Sequence, residues 1–99
     1  YRVLYDIPGI KVKELTVDPG KSLSKQKHLN RSEFWIVAEG VATVYSGDVS
    51  LGMFLSKHQQ ITIEKRTWHR LVNEFPTPLK IIEVQYGGSC TEEDIERAD

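Results

Sequence analysis

Gln26, His28, Glu33 and His69 are spaced so that their side chains can converge on one divalent metal ion. Gln26-Lys27-His28 is followed by four residues and then Glu33, with Gly40 beyond it, and His69-Arg70-Leu71-Val72-Asn73 comes later in the chain. Alternate residues of a β-strand share a face, so Gln26 and His28 can aim at the same point. A carboxylate and a second imidazole from later segments would complete a mixed nitrogen and oxygen ligand set. One carboxylate among three neutral ligands leaves the ion net positive. It would then act as a Lewis acid on a hydroxyl or carbonyl oxygen, provided a coordination position stays open. A closed structural zinc site is commonly rich in cysteine, and this chain has a single cysteine, Cys90. The plain alternative is that these are ordinary hydrogen-bonded strand residues. The glycine after the glutamate and the asparagine after His69 weigh against it. His58 fits neither segment and is expected in a surface loop.

The elements that must hold these groups read as short strands. Lys11 to Val17 alternates and stops at Asp18-Pro19-Gly20, where proline presets φ and glycine accepts positive φ. Ser22 to His28 is a polar strand. Phe34 to Ala38 is apolar on both faces, as in a central strand covered twice or one packed at a subunit contact. Strands are also expected at Val41 to Tyr45, Val49 to Leu55, Gln60 to Glu64, His69 to Val72 and Leu79 to Gln85, with Pro76 and Pro78 in the last loop. Many short strands between turn signals indicate an all-β sandwich or barrel. The one helical expectation is Thr91 to Ala98, with Thr91 as N-cap and acidic residues in the first turn.

Ninety-nine residues suit one domain, residues 1–99. A hydrophobic fraction of 39% and a charged fraction of 27% are ordinary for a folded globular protein, so disorder is not indicated. The net charge of −1 points neither to nucleic acid nor to an anionic membrane surface. Lys21, Lys25, Lys27 and Arg31 crowd the first segment, and Lys65, Arg66 and Arg70 the second. They form either a solvated basic rim or a field that draws in an anionic substrate. A lone cysteine in a Gly-Gly-Ser-Cys-Thr stretch gives no internal disulfide and fits a reducing compartment. No apolar run approaches the ~20 residues that span a bilayer, and no secretory signal opens the chain, so a cytoplasmic protein is expected. The chain begins at tyrosine, so flanking sequence is expected.

The words around the ligands carry a family resemblance. Val12-Lys13…Val17…Pro19-Gly20, Leu23-Ser24…Gln26…His28…Arg31-Ser32-Glu33…Trp35-Ile36-Val37…Gly40, His69-Arg70-Leu71…Asn73, Pro78-Leu79…Ile82-Glu83-Val84-Gln85 and Glu93-Asp94-Ile95…Arg97 resemble the type II mannose-6-phosphate isomerase domain. The resemblance covers nearly the whole chain. It implies a single cupin, a double-stranded β-helix or jelly-roll barrel, of the kind that also forms the C-terminal part of bifunctional mannose-1-phosphate guanylyltransferase/mannose-6-phosphate isomerases. It implies a metal enzyme, with zinc the expected ion. The enzyme would interconvert mannose 6-phosphate and fructose 6-phosphate for GDP-mannose and polysaccharide biosynthesis. The ligands carried over are Gln26, His28, Glu33 and His69. Arg31 and Arg70 match arginines flanking those ligands and are candidates for holding a phosphate or enediolate oxygen. Lys27 and Gln85 join Arg31 as candidate substrate-binding residues. A homodimer, and a guanylyltransferase fused to or acting with the domain, are the expected protein partners.

Three departures from the family pattern stand near the ligands. His28-Leu29-Asn30 replaces a histidine-rich run, Phe34 a histidine, and Glu64-Lys65-Arg66 a Pro-x-Gly turn. They bear on turnover more than on metal binding. Arg70, adjacent to His69, points to the opposite face of a regular strand and has an equal reading as an ion-pair partner of Glu83. Glu83 is the candidate general base if its face looks inward, with Ile82 and Val84 equally eligible to be inward residues. The alternatives to an isomerase are a metal- and sugar-phosphate-binding module without turnover, a degenerate cupin used for dimerisation and, below both, a cupin oxygenase.

Overall fold

The computed structural model describes residues 1–47, 52–88, 90 and 93–97, and the architecture is two five-stranded sheets packed face to face. The strands are β1 (Arg2–Ile7), β2 (Ile10–Val17), β3 (Gln26–His28), β4 (Arg31–Glu39), β5 (Ala42–Ser46), β6 (Met53–Leu55), β7 (Gln60–Ile63), β8 (His69–Val72), β9 (Leu79–Gly87) and β10 (Ile95–Arg97). One sheet runs β1-β2-β9-β4-β7 and the other β10-β3-β8-β5-β6, with all pairings antiparallel. The chain passes repeatedly from sheet to sheet, the jelly-roll connectivity that the family resemblance implied.

Period-2 alternation decides which residues enter the barrel. On β9 the buried positions are Leu79, Ile81, Glu83 and Gln85, and on β2 they are Lys13, Leu15 and Val17. Register lines them up in rows. Val17 opposes Leu79, Leu15 opposes Ile81, and Ile81 also opposes Val37 of β4. One step along, Lys13 and Trp35 flank Glu83, and one step further Glu33 opposes Gln85. One end of the barrel is therefore aliphatic, with Val37, Ala42, Val44, Leu55, Ile63 and Leu71 completing the core. The other end is polar. Burying charge costs several kcal/mol per ion unless it is paired, so the polar end is where a function is to be sought.

Several boundaries differ from the sequence reading. Ser22–His28 shortens to Gln26–His28, with Ser22 making only a bridge to Val72. The expected Val49–Leu55 strand is seen as Met53–Leu55, and 49–51 lie outside the described residues. β1 was not anticipated; its neighbour β2 supplies a hairpin partner through Ile7-Pro8-Gly9-Ile10, where Gly9 has φ +83°. The terminal helix is a correction. Ile95–Arg97 is a strand paired with β3, while Thr91, Glu92 and Ala98 lie outside the described residues. A segment too short to be stable as an isolated helix gains more by completing a sheet edge. Gly40 sits at φ +84°, and a Cβ there would lie 2.5 Å from the Pro78 carbonyl oxygen, which explains the glycine after Glu39.

Candidate metal centre and its cavity

β3, β4 and β8 bring the ligands together. Gln26 lies directly opposite His69 across the β3–β8 pair, so the two side chains share the inner face. His28 is the next inward residue of β3, and Glu33 enters from β4. The ligand atoms of His28, Glu33 and His69 all lie within 4.8 Å of one another, and all three residues are buried. His28 Nε2 is 3.0 Å from Glu33 Oε2, and His69 Nε2 is 3.6 Å from Oε1. Each Nδ1 faces a backbone carbonyl, Asp94 at 3.2 Å for His28 and Thr67 at 3.1 Å for His69. A ring donating from Nδ1 presents a bare Nε2, the tautomer that ligates metal. The Gln26 amide donates to Ser24 Oγ at 2.9 Å, which leaves its oxygen as the ligating atom. This donor set fits a divalent metal ion with an open position.

Electrostatics support the same reading. Burial pushes the Glu33 carboxyl up, but His28, His69 and Arg31 outweigh it and bring the group down to about 2. Burial lowers the His69 pKa, the direction that favours the neutral ring a ligand must present. Arg31 is buried; it donates from Nε to Glu33 Oε2 at 3.3 Å and lies 3.3 Å from His28 Nε2 through Nη2. The Trp35 indole N–H is shared between Glu33 Oε1 (3.2 Å) and Glu83 Oε2 (3.1 Å), tying the two carboxyls together. Burial and the Glu33 charge push Glu83 up to about 8. Two carboxyls in one dry site with pKa values driven apart is a recurring acid–base arrangement.

A cavity of about 170 Å³ opens beside this centre, lined by Gln26, Arg31, Glu33, Glu83 and Gln85 within and by Tyr1, Thr16 and Arg97 at its mouth. A recess of about 30 Å³ extends inward from the same wall to Trp35 and His69. Gln85 donates to Glu83 Oε1 at 2.6 Å, while its own buried Oε1 meets no hydrogen-bond donor among the described residues. Such an acceptor costs free energy until a ligand or water supplies a donor.

The structure sorts the remaining candidates. Arg31, Glu83 and Gln85 reach the cavity. Glu83 and Gln85, not Ile82 and Val84, are the inward residues of β9. Lys27 does not reach it: its ammonium pairs with Glu96 at 3.3 Å and lies over the Trp68 ring on the outer face. Arg70 likewise lies outside, in a groove with Lys25, Tyr45 and Glu74, away from both the metal centre and Glu83. Both corrections follow from alternation, since each neighbours an inward ligand. Lys13 is the residue the sequence reading passed over. It is 4% exposed and lines the cavity, and its place in register with Leu15 and Val17 was the available signal.

The departures also find their places. Asn30 spends its amide on Asp94 Oδ1 at 2.9 Å, and Phe34 alternates with Glu33 and Trp35, so neither lines the cavity. Arg66 adopts φ +67°, the left-handed conformation otherwise suited to glycine, and its N–H bonds to the His28 carbonyl at 2.6 Å. The turn before His69 is therefore retained without a Pro-x-Gly sequence.

Comparison with known proteins agrees with this geometry. A family model described as mannose-6-phosphate isomerase C-terminal matches residues 1–99. The alginate biosynthesis protein AlgA of Pseudomonas aeruginosa is 44% identical over 88 residues, covering 89% of this chain and 18% of that protein. A mannose-1-phosphate guanylyltransferase of Salmonella muenchen is 34% identical over 99 residues, covering the whole chain and 20% of that protein. The chain thus spans about a fifth of the length of these curated relatives. Among solved structures, a double-stranded β-helix protein from Klebsiella pneumoniae superposes with a TM-score of 0.86 at 18% identity, covering 98% of this chain and 81% of that one. A cupin-superfamily sugar phosphate isomerase from Silicibacter pomeroyi gives 0.72 at 18% identity, covering 79% and 50%. At these identities the structural likeness establishes the fold.

Proposed function

We propose, because the chain belongs to the mannose-6-phosphate isomerase C-terminal family over residues 1–99, that it is a metal-dependent aldose–ketose isomerase domain acting on mannose 6-phosphate and fructose 6-phosphate. The observation that carries this is the buried His28–Glu33–His69 cluster sharing one cavity with a second carboxyl, Glu83. Gln26, His28, Glu33 and His69 would hold zinc. When bound, the ion supplies Lewis acidity toward the sugar's C1 and C2 oxygens.

The chain's own residues do the rest. The Glu83 carboxylate takes the C2 proton of the aldose form and returns it to C1, while the hydroxyl proton passes from O2 to O1. Trp35 and Gln85 hold the Glu83 oxygens in place, and Gln85 Oε1 accepts a sugar hydroxyl. Arg31 steadies Glu33, and its fixed positive charge beside the cavity favours an oxygen that gains negative charge. Burial and the Glu33 charge raise Glu83, and a cation held by Gln26, His28, Glu33 and His69 would offset that charge and favour Glu83 as a base. Asn30 and Phe34 lie outside the cavity, so their departure from the family pattern removes no group from it.

The wider reading places the domain in supply of GDP-mannose for polysaccharides, beside or fused to a guanylyltransferase, as two-domain relatives suggest. A homodimer belongs to this reading too. Exposed apolar residues line the edge strand β1, with Val3, Leu4 and Ile7 each 45% exposed and Tyr5 53%, and the edge strand β6 carries Phe54 and Met53, whereas the β4 residues from Phe34 to Ala38 are buried or half-buried.

Elemental analysis of native protein, combined with a coupled isomerase assay, tests the proposal. One zinc per chain and conversion of mannose 6-phosphate are expected. Stoichiometric metal with sugar-phosphate binding but no turnover would replace it with the binding-module reading.

A further inference from the structure

Lys13 and Arg97 stand at the cavity's outer end, and no metal ligand does their work. Lys13 projects from β2 into the barrel, opposite Glu83 in register, at 4% exposure. Its Nζ lies 4.0 Å from the centroid of the Tyr1 ring, which covers it at the mouth. Arg97 is opposite Gln26 across the β10–β3 pair, so it faces the cavity from the other sheet.

The two cavities show which end is which. The inner recess and the outer cavity share Leu23, Gln26, Glu33 and Glu83, the wall that carries metal ligands. Lys13, Arg97 and Tyr1 belong to the outer cavity alone. A ligand entering here would meet oxygen-seeking groups at its leading end, the unsatisfied Gln85 acceptor along its length and two cations at its trailing end. A volume of about 170 Å³ is below the ~300 Å³ of a drug-sized pocket, so the ligand is small.

We propose that Lys13 and Arg97 form an anion subsite at the cavity mouth that grips the phosphate of a phosphorylated polyol or sugar whose other end is presented to the metal wall. Naming mannose 6-phosphate as that ligand rests on the isomerase reading; the subsite itself rests on the cavity. Lys13 and Arg97 set affinity and specificity for the phosphate-bearing molecule, and the proton transfer belongs to the other end.

The test is calorimetry on zinc-loaded protein with three probes: mannose 6-phosphate, mannose and inorganic phosphate. Lys13→Gln is expected to weaken mannose 6-phosphate and inorganic phosphate at least tenfold, with mannose unchanged within twofold and metal content kept. Lys13→Arg should recover most of the loss. Arg97→Gln, at an exposed position, should weaken both phosphate probes three- to tenfold, so a folding failure of Lys13→Gln does not end the test. Where the protein turns over, KM should rise with kcat within threefold. Phosphate-selective binding without turnover would sink the isomerase reading and leave the subsite standing. Equal weakening of mannose and mannose 6-phosphate, Arg97→Gln binding both phosphate probes as wild type does, or a wild type that binds neither, would overturn the subsite.

Discussion

Glu33 and Glu83 share one indole N–H yet are driven in opposite directions, and this sets how the metal-free protein responds to pH. Glu33 is held at about 2, below its ordinary 4.5, so its contribution to stability is present above 4.5 and fades as pH falls toward 2. Glu83 is raised to about 8, so its contribution is complete below 4.5 and fades as pH rises through 8. Metal-free protein should therefore lose thermal stability between pH 5 and 8. Glu83→Gln, a neutral near-isostere of the protonated acid, should flatten that fall while abolishing turnover. Thermal unfolding across a pH series checks it, and an unchanged slope would place the titrating group elsewhere. Glu33 was legible as a ligand from its spacing. The opposed behaviour of Glu83 was not, because it arises from burial beside a charge distant in sequence.

Among the elements, β10 is the strand that sequence patterning misassigned and the one that secures the ligand loop. Asp94, just before it, accepts from the backbone N–H of Leu29 (3.3 Å) and Asn30 (2.9 Å) and from the Asn30 amide (2.9 Å), and its carbonyl receives His28 Nδ1. The β3–β4 turn that carries His28 toward Glu33 is thus tied to the chain's far end. Asp94→Ala leaves these donors without their carboxylate and should cost about 1–3 kcal/mol in chemical denaturation. It should also weaken metal affinity by about 10–100-fold, the usual effect of losing a group that orients a ligand. Loss of stability with metal affinity intact would show that the turn positions itself. The acidic Glu92-Glu93-Asp94 run resembles the first turn of a helix, but one of its carboxylates serves a distant loop, which local pattern cannot reveal.

At the scale of the whole molecule, one surface and one interior govern behaviour. The polar half of the barrel interior is a stability liability that a bound ion would relieve. At a free metal concentration 100 times the dissociation constant, the folded state would gain ~2.7 kcal/mol, so chelation should lower the melting temperature of metal-loaded protein by several degrees. The β1 edge carries a run of exposed apolar side chains, Val3, Leu4, Tyr5 and Ile7. Sedimentation equilibrium is expected to show a dimer, and Val3→Lys with Tyr5→Lys should give a monomer of unchanged metal content. A wild-type monomer would remove β1 as a dimer surface. Among the described residues, no helix is long and apolar enough to cross a membrane.

The sequence by itself determined that the chain is an all-β barrel and that Gln26, His28, Glu33 and His69 belong together. Both are short-range facts: turn residues and period-2 alternation act locally, and the ligand words lie within single segments. Only the tertiary structure decided which neighbours of those ligands matter. Strand register set Lys13, Glu83 and Gln85 on the inner face and sent Lys27 and Arg70 outward, because a shift of one residue along a strand exchanges the cavity for solvent. Sheet completion, a long-range gain in backbone pairing, overrode the local helix signal at β10. The barrel's division into an aliphatic end and a polar end depends on rows assembled from β2, β9 and β4, and no single segment contains that information.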